Sequence, residues 1–595
     1  MIGEKELKKI PYGISDFEDF HRKNLYYVDK TRFIHNIEDK GSFLFLIRPR
    51  RFGKSLLLSM LENHYDIARK DQFDTFFVGT DIHKYPIKEK SSYMVLKFNF
   101  SKVQPSNIEL KQAFMDYIRS TTHAFVNKYN QFLDIDLEKF SKEVDSRNNA
   151  SSILDYLLIQ CERKKIRLYV IIDEYDNFAN TILSDSGESH YLSITHGEGF
   201  LRSFFNVVKS GTTGSGSPIS RLFMTGVSPI TLDDVTSGFN IATNISLDSD
   251  INEIMGFTQS EVETLIEYYR QAGKIIHPTS VLIEIMSRWY NHYRFSQRAV
   301  GEMFNTSQVL YFLNKYIIDG SMPLNFIDRN ALIDYEKLRQ FIIIDKKDKK
   351  ETNGNFLKLK QVIETGTTST VIQEGFPIQS MGKPENFFSL LFYFGLLTIT
   401  GETPGRRAIL SVPNEFTWKL YYDYLHSIYD ETNIFKIDSD RFSLLMEEMA
   451  IEGKWEEAIS YVAERMNNSL GVRDLIDREK ALQVFWNVYF GLNPLYIVDS
   501  EKELNQGFAD LALVPVLAQF PGIKYSYLIE FKYIKPADYE KADGEEKVKN
   551  LRMEAETQLN RYSMDEKFKK TIGQTTLKKL VLIFSGNRMV LGEEI

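Results

Sequence analysis

At 595 residues the chain is too long for one hydrophobic core, and three or four domains are expected. Its composition, 43% hydrophobic and 26% charged, excludes long disorder and collagen-like repeats. A formal charge of −8 excludes wholesale coating of nucleic acid by a basic surface, though not a local basic groove beside an acidic metal site.

The single cysteine, Cys161, cannot form an intrachain disulfide, and after the apolar run Ile153–Ile159 it reads as a buried structural thiol. Met1–Tyr12 carries lysines without an apolar core and does not read as a signal peptide. The longest apolar run, Phe387–Ile399, is broken by Ser389 and falls short of the roughly 20 residues a membrane helix needs. A soluble, cytoplasmic protein without a membrane partner is expected.

In chain order, strands are predicted at Phe43–Ile47, Met94–Phe98, Leu168–Ile172, Leu222–Thr225 and Ile241–Ile245, alternating with helical stretches such as Ile108–Gln160. That pattern implies an α/β parallel sheet with helices on both faces, occupying residues 1–250. Ser210–Ser217 reads as a Gly/Ser/Thr loop. A helical lid is expected over 251–345, opened by a capping box of Thr258 and Glu261. The charged run Asp345–Thr352 reads as a solvated linker. Residues 346–440 are expected to be winged-helix-like, with Phe387–Val412 a helix and then a hairpin turned by Thr403-Pro404-Gly405. From 441 onward the prediction is helix over Arg441–Leu470 and Asp474–Tyr489, strands Ala509–Val514 and Tyr525–Phe531, helix Val548–Tyr562, and strand Leu580–Phe584.

The first strand runs into Arg48-Pro49-Arg50-Arg51-Phe52-Gly53-Lys54-Ser55-Leu56, where an apolar-periodic helix starts. A phosphate calls for backbone N–H groups at a helix N-terminus, an ammonium for the outer phosphates, and a hydroxyl for Mg²⁺. Gly53, Lys54 and Ser55 have that spacing; Arg48 stands where the usual pattern has glycine. The third strand ends in Asp173 and Glu174, the first acid suited to hold Mg²⁺ through water and the second to polarise the attacking water. An ATP site is expected from this pair of motifs. Thr225 and Ser228, at the end of the fourth strand, are both candidates to sense the γ-phosphate, and Arg202, Lys209 and Arg221 are candidate charge-neutralising fingers.

Ile10–Phe17, Tyr26–Thr31, Arg48–Ser55 with its double arginine, Thr225–Pro229, Gly256-Phe257-Thr258 and Trp289–Phe295 together resemble the bacterial AAA-ATPase-like family over about residues 6–315. The resemblance implies that arginine at position 48 is compatible with ATP. Likeness to wider ATPase groups implies a nucleotide-sensing arginine in the lid, for which Arg294 is the candidate. Tyr26–Thr31 suits base contact or domain packing equally.

Near the other end, Asp510 opens one strand, and Glu530 and Lys532 stand at i and i+2 of another, which aims both side chains at one face. A carboxylate from each strand can bind divalent cations, and the ammonium can orient water, as phosphodiester hydrolysis requires. With Glu479 on an upstream helix and Gln558 and Tyr562 on a downstream one, about residues 470–590 resemble the PD-(D/E)XK nuclease superfamily, whose domain is restriction-endonuclease-like. That resemblance implies Asp510 and Glu530 as metal ligands for Mg²⁺ or Mn²⁺, Lys532 as catalytic lysine, Glu479 as accessory acid and metal neighbour, and Gln558 as a downstream contact. Relatives have a small or basic residue where Phe508 stands. Two functions are expected from the whole: an ATP-regulated nuclease acting on nucleic acid, DNA before RNA, with homo-oligomers admitted; or a nucleotide-switched signalling ATPase whose nuclease-like domain is a scaffold.

Overall fold

The structure, a computed structural model, describes residues 6–103, 110–177, 182, 188–214, 216–230, 241–328, 330–331, 354–431, 435–469, 478–504 and 507–595. Five parallel strands form the first sheet: β1 Phe43–Ile47, β2 Met94–Asn99, β3 Leu168–Asp173, β4 Ile219–Gly226 and β5 Thr243–Asn244. Every residue of β3 and all but the first of β1 are buried, as a sheet covered on both faces requires. The order β2-β3-β4-β1-β5 places β4 between β1 and β3. In register, Ile47 pairs with Gly226 and Ile172 with Met224, so the chain leaves β1, β3 and β4 side by side at the carboxyl edge. Open α/β sheets bind ligands at that edge.

The expected helical stretch between β2 and β3 is three helices, Leu110–Leu133, Leu137–Asp145 and Ala150–Arg163. Asn149 caps the last of these by accepting the Ser152 N–H. Thr258 and Glu261 form the expected capping box at the start of helix Gln259–Gln271. β5 is shorter than the run Ile241–Ile245, and the charged segment Asp345–Thr352 lies outside the described residues. A helix Pro384–Tyr393 precedes the hairpin of β7 Thr398–Glu402 and β8 Ala408–Ser411. A strand the sequence did not announce, β6 Thr367–Thr370, pairs with the outer side of β8.

Two compact units result. The first comprises Met1–Ser321, Asn325–Leu359 and Thr367–Asn414; the second comprises Met322–Leu324, Lys360–Gly366 and Glu415–Ile595. In the second, the sheet order is β13-β12-β11-β10-β9, with β9 Tyr496–Leu504, β10 Gly507–Pro515, β11 Tyr525–Ile534, β12 Thr576–Ser585 and β13 Arg588–Glu594. β11 and β12 are parallel and the other pairs antiparallel. Trp486, on helix Glu479–Leu492, is fully buried against Phe531 and Phe584 of the central strands. The early segment Lys360–Gly366 is part of this unit: Glu364 pairs with Arg478 at 2.9 Å, and Gly366 lies beside the Trp418 ring.

His64 sits near the end of helix Lys54–Tyr65, ringed by Tyr65, Phe73 and Phe77. It is fully buried, and among the described residues neither ring nitrogen has a partner. Burial, then the charges of Lys90, His35 and Arg221, push it down from 6.5 to about 3. Below its ordinary value the unfolded chain takes up a proton that the folded chain refuses, so this group makes the fold lose stability as pH falls from 6.5 towards 3. The slope approaches about 1.4 kcal/mol per pH unit. His64→Met should flatten the pH dependence of the first unit's melting temperature between pH 7 and 4.5; parallel curves for variant and wild type would show that the ring titrates normally.

Candidate functional site

The loop from Arg48 to Gly53 leaves β1 and turns directly into helix Lys54–Tyr65. Gly53 holds φ +99°, where a side chain is strained, and Arg51 is also left-handed at +70°. Ser55 Oγ donates to Asp173 Oδ2 at 2.7 Å, and Thr225 Oγ1 donates to Asp173 Oδ1 at 3.0 Å. The acid at the end of β3 is thereby held from the loop helix and from β4 at once. Lys54 Nζ folds back on the loop, donating to the carbonyls of Arg48 at 3.0 Å and Pro49 at 2.9 Å. Burial pushes this ammonium down to about 8, against the pull of Glu174 and Asp173. Glu174 follows at φ +51°, its carboxyl raised by burial and lowered by Lys54.

A cavity of about 400 Å³ lies against the loop, lined by Arg50–Leu57 and Glu174 on one side and by Tyr26, Tyr27, Val28 and Lys30 on the other. Lys30 pairs with Glu261 at 2.7 Å, tying the N-terminal segment to the capping box of helix Gln259–Gln271. A second, polar cavity of about 360 Å³ adjoins Ser55 and Asp173 from the β2 side, next to Lys97, Asn99 and Tyr117. Gly53, the helix start, Lys54 and the Ser55–Asp173 pair fit a magnesium-bound nucleoside triphosphate.

Two expected nucleotide contacts sit elsewhere. Arg48 is 1% exposed and spends its guanidinium on the carbonyls of Ile47, Ser246 and Ile251, at 3.0, 2.7 and 3.2 Å, over the ring of Phe295. It contributes its carbonyl to the loop and braces it from below. Arg294 is placed away from the cavity for a reason of alternation. Its neighbours Tyr293 and Phe295 both pack on Phe52, at 4.9 and 5.4 Å, while the Arg294 N–H donates to Thr398 and its side chain pairs with Glu302 at 3.6 Å.

Pro49 packs against Gly395, and Arg50, Arg51, Phe52 and Leu56 line the cavity. Ser228 is buried, with its hydroxyl accepting the Ile230 N–H inside the turn. Of the candidate fingers, Arg221 lies four residues before Thr225 on β4 and binds Glu38 at 2.5 Å and Tyr93 at 3.1 Å, away from the carboxyl edge. Lys209 is in the last turn of helix Phe200–Ser210 and Arg202 in its first. Sequence reasoning missed Asp176. It is 1% exposed and accepts the N–H groups of Val227 and Ser228; its signal was a third acid three residues after Asp173.

In the second unit, Asp510 of β10 accepts the Phe531 N–H at 2.8 Å, and Gln483 donates to its carbonyl. On β11, Lys532 Nζ lies 3.0 Å from Glu530 Oε1 and 3.8 Å from Glu479 Oε1. Glu530 is 2% exposed, and its Oε2 has no hydrogen-bond donor among the described residues; nor has Gln558 Oε1. Burial and the neighbouring Glu530 charge push Asp510 up to about 8, and burial likewise raises Glu530. Among the described residues no three His, Cys, Asp or Glu side chains gather as a metal cluster, so Glu479 reaches Lys532 without completing a three-acid set. The Asp510–Glu530 pair, short of positive charge and with one bare oxygen, fits a divalent cation. The side chain of Phe508 lies outside the described residues.

A P-loop core and a nuclease-type mixed sheet are thus joined in one chain. Residues 11–236 match the family model described as "Predicted AAA-ATPase", and residues 477–594 match that of the PD-(D/E)XK nuclease superfamily. The chain carries an AAA-ATPase-like domain fused to a PD-(D/E)XK nuclease-superfamily domain. It is 26% identical over 300 residues to a protein of Azotobacter chroococcum mcd 1 described only by its position in the vnfD 5′ region. The match takes in 50% of this chain and 51% of that one, so it spans about half the length of this curated relative. Among solved structures, the Aeropyrum pernix ORC2 protein in its ADPNP-ADP complexes is similar at 11% identity and a TM-score of 0.30, over 67% of this chain and 93% of that one. No described helix is long and apolar enough to cross a membrane.

Arg48→Met leaves three buried carbonyls without their donor and should lower stability by about 2–4 kcal/mol in urea titration. Arg294→Ala should leave MgATP affinity by calorimetry within about twofold; a tenfold loss would return Arg294 to the nucleotide.

Proposed function

We propose that the AAA-ATPase-like domain binds and hydrolyses ATP, and that the C-terminal domain cuts phosphodiester bonds in nucleic acid, DNA in preference to RNA, under control of the nucleotide. The observation that carries the ATP reading is the double hydroxyl hold on Asp173 beside the Lys54 loop. Ser55 and Asp173 would hold Mg²⁺, which supplies neutralisation of charge on the outer phosphates. Lys54 exchanges the carbonyls of Arg48 and Pro49 for phosphate oxygens, and the N–H groups at the helix start cradle the rest. Glu174, its carboxyl raised by burial, takes up the proton of the attacking water. Thr225 reads the γ-phosphate, since its hydroxyl already reaches Asp173 while that of Ser228 is committed to its own turn. The base lies against Tyr26–Lys30. Within the first unit, helix Gln259–Gln271 belongs to a lid, and helix Pro384–Tyr393 with the hairpin of β7 and β8 forms a winged-helix-like module.

At the second site, Asp510 and Glu530 would hold Mg²⁺ or Mn²⁺, which supplies an acidified water and charge for the phosphorane. Lys532, now bridging Glu530 and Glu479, turns to orient that water, and Glu479 keeps the ammonium in place. Gln558 brings an amide whose oxygen has no donor. The protein works in the cytoplasm, as a monomer or a homo-oligomer.

The test is cleavage of labelled single- and double-stranded DNA and RNA with Mg²⁺ or Mn²⁺, with and without ATP. Lys532→Ala should lose cutting by at least about 100-fold and keep ATP hydrolysis. Lys54→Ala should lose MgATP binding and any ATP effect on cutting. ATP hydrolysis without cutting under any condition would replace the nuclease reading with that of a nucleotide switch whose C-terminal domain is a scaffold.

A further inference from the structure

The turns that follow β3 and β4 are cross-tied, and Asp176 is the centre of the tie. Its Oδ2 accepts the N–H of Val227 at 3.1 Å and of Ser228 at 2.6 Å. Tyr175 adds two bonds, its N–H donating to the Thr225 carbonyl at 3.2 Å and its hydroxyl to the Ser228 carbonyl at 2.5 Å. Asn177 N–H donates to the Glu174 carbonyl at 3.0 Å, which closes the left-handed turn at Glu174. Gly226 completes the joint. A Cβ there would stand 2.4 Å from Tyr175 Cε1 and 2.6 Å from Asp176 Oδ1, so the strand end has no room for a side chain. Its φ is not left-handed, so the need for glycine is steric alone.

We infer that Asp176 is a positioning residue of the ATPase, setting Thr225 and Glu174 at a fixed spacing from Asp173. The inference rests on reading residues 11–236 as an ATP site. Thr225 and Glu174 lie on different strands' ends and act on the same phosphoryl group. Their spacing is therefore a long-range quantity that neither strand sets alone. A carboxylate buried to 1% exposure is costly unless paired, and here the backbone N–H groups of the β4 turn offset that cost. Burial raises the Asp176 carboxyl and those same N–H groups lower it. The joint meets the loop that binds the outer phosphates at its first residue, where the Gly226 carbonyl accepts the Arg48 N–H at 3.3 Å. The Asp176 carboxylate holds the turn after β4, so loss of that carboxylate should act on turnover more than on binding. A misplacement of about 1 Å at a reacting group is worth on the order of 100-fold in rate.

Asp176→Ala and Gly226→Ala should each lower single-turnover ATP hydrolysis by about 10- to 100-fold while holding the MgATP dissociation constant within about threefold. Asp176→Asn, which keeps an acceptor oxygen for the two N–H groups, should retain at least about a third of the rate. Wild type and Lys54→Ala are run beside them. If wild type neither binds nor hydrolyses ATP, it is the underlying ATP reading that fails. If wild type hydrolyses ATP and Gly226→Ala and Asp176→Ala match it, the positioning role is overturned. It is equally overturned if affinity and melting temperature fall in step with the rate and asparagine gives no rescue. Should Asp176→Ala not fold, Gly226→Ala and Asp176→Asn decide the matter alone.

Discussion

Asp173 is a carboxylate at 1% exposure, placed at the end of a strand whose every residue is buried. Left unpaired there, it would cost several kcal/mol. Ser55 and Thr225 pair it, and each hydroxyl arrives from a different element. That requirement orders the neighbourhood. β4 must lie between β1 and β3, the loop helix must start where β1 stops, and the turn after β3 must bend back on the turn after β4. The two hydroxyls that pair the acid thus also bring the loop helix and β4 to the end of β3.

The second unit meets the same demand differently. Asp510 is satisfied by a backbone N–H of the neighbouring strand, and Glu530 by the lysine two residues along its own. A strand's period of two puts Glu530 and Lys532 on one face, and the antiparallel pairing of β10 and β11 brings Asp510 to them. One oxygen of Glu530 is left over. Where the first site hides its charges from one another with hydroxyls, the second keeps them close and unbalanced.

Much of this was legible in the sequence because it is local. The apolar runs of β1 to β4 announce buried parallel strands, the Thr258–Glu261 spacing announces a capping box, and Gly53-Lys54-Ser55 after a strand announces a phosphate loop. What was not legible depends on distant partners. Two of the three carbonyls that absorb Arg48 are 198 and 203 residues away, so its position in the motif was visible and its direction was not. Arg294 stood in a segment whose aromatic neighbours claimed the face towards the loop. β9 and β13, as edge strands, carry charges in their latter halves, Glu501 to Glu503 and Glu593 to Glu594, that mask a strand signal. Asp176 stood in view as a third acid, but its direction was hidden as that of Arg48 was, since its partners are 51 and 52 residues on.

The segment Lys360–Gly366 belongs to the second unit although the chain returns to the first for Thr367–Asn414 before entering the second for good. During synthesis this segment leaves the ribosome some fifty residues ahead of the body it completes, and Glu364 waits more than a hundred residues for Arg478. The C-terminal unit is therefore discontinuous in the gene. A fragment cut at Glu415 would lack Gly366, which lies beside the Trp418 ring, and Glu364, which pairs with Arg478. Recombining the nuclease-like unit with another N-terminal domain would require carrying over three stretches of chain, and a simple fusion at Glu415 would leave two of them behind.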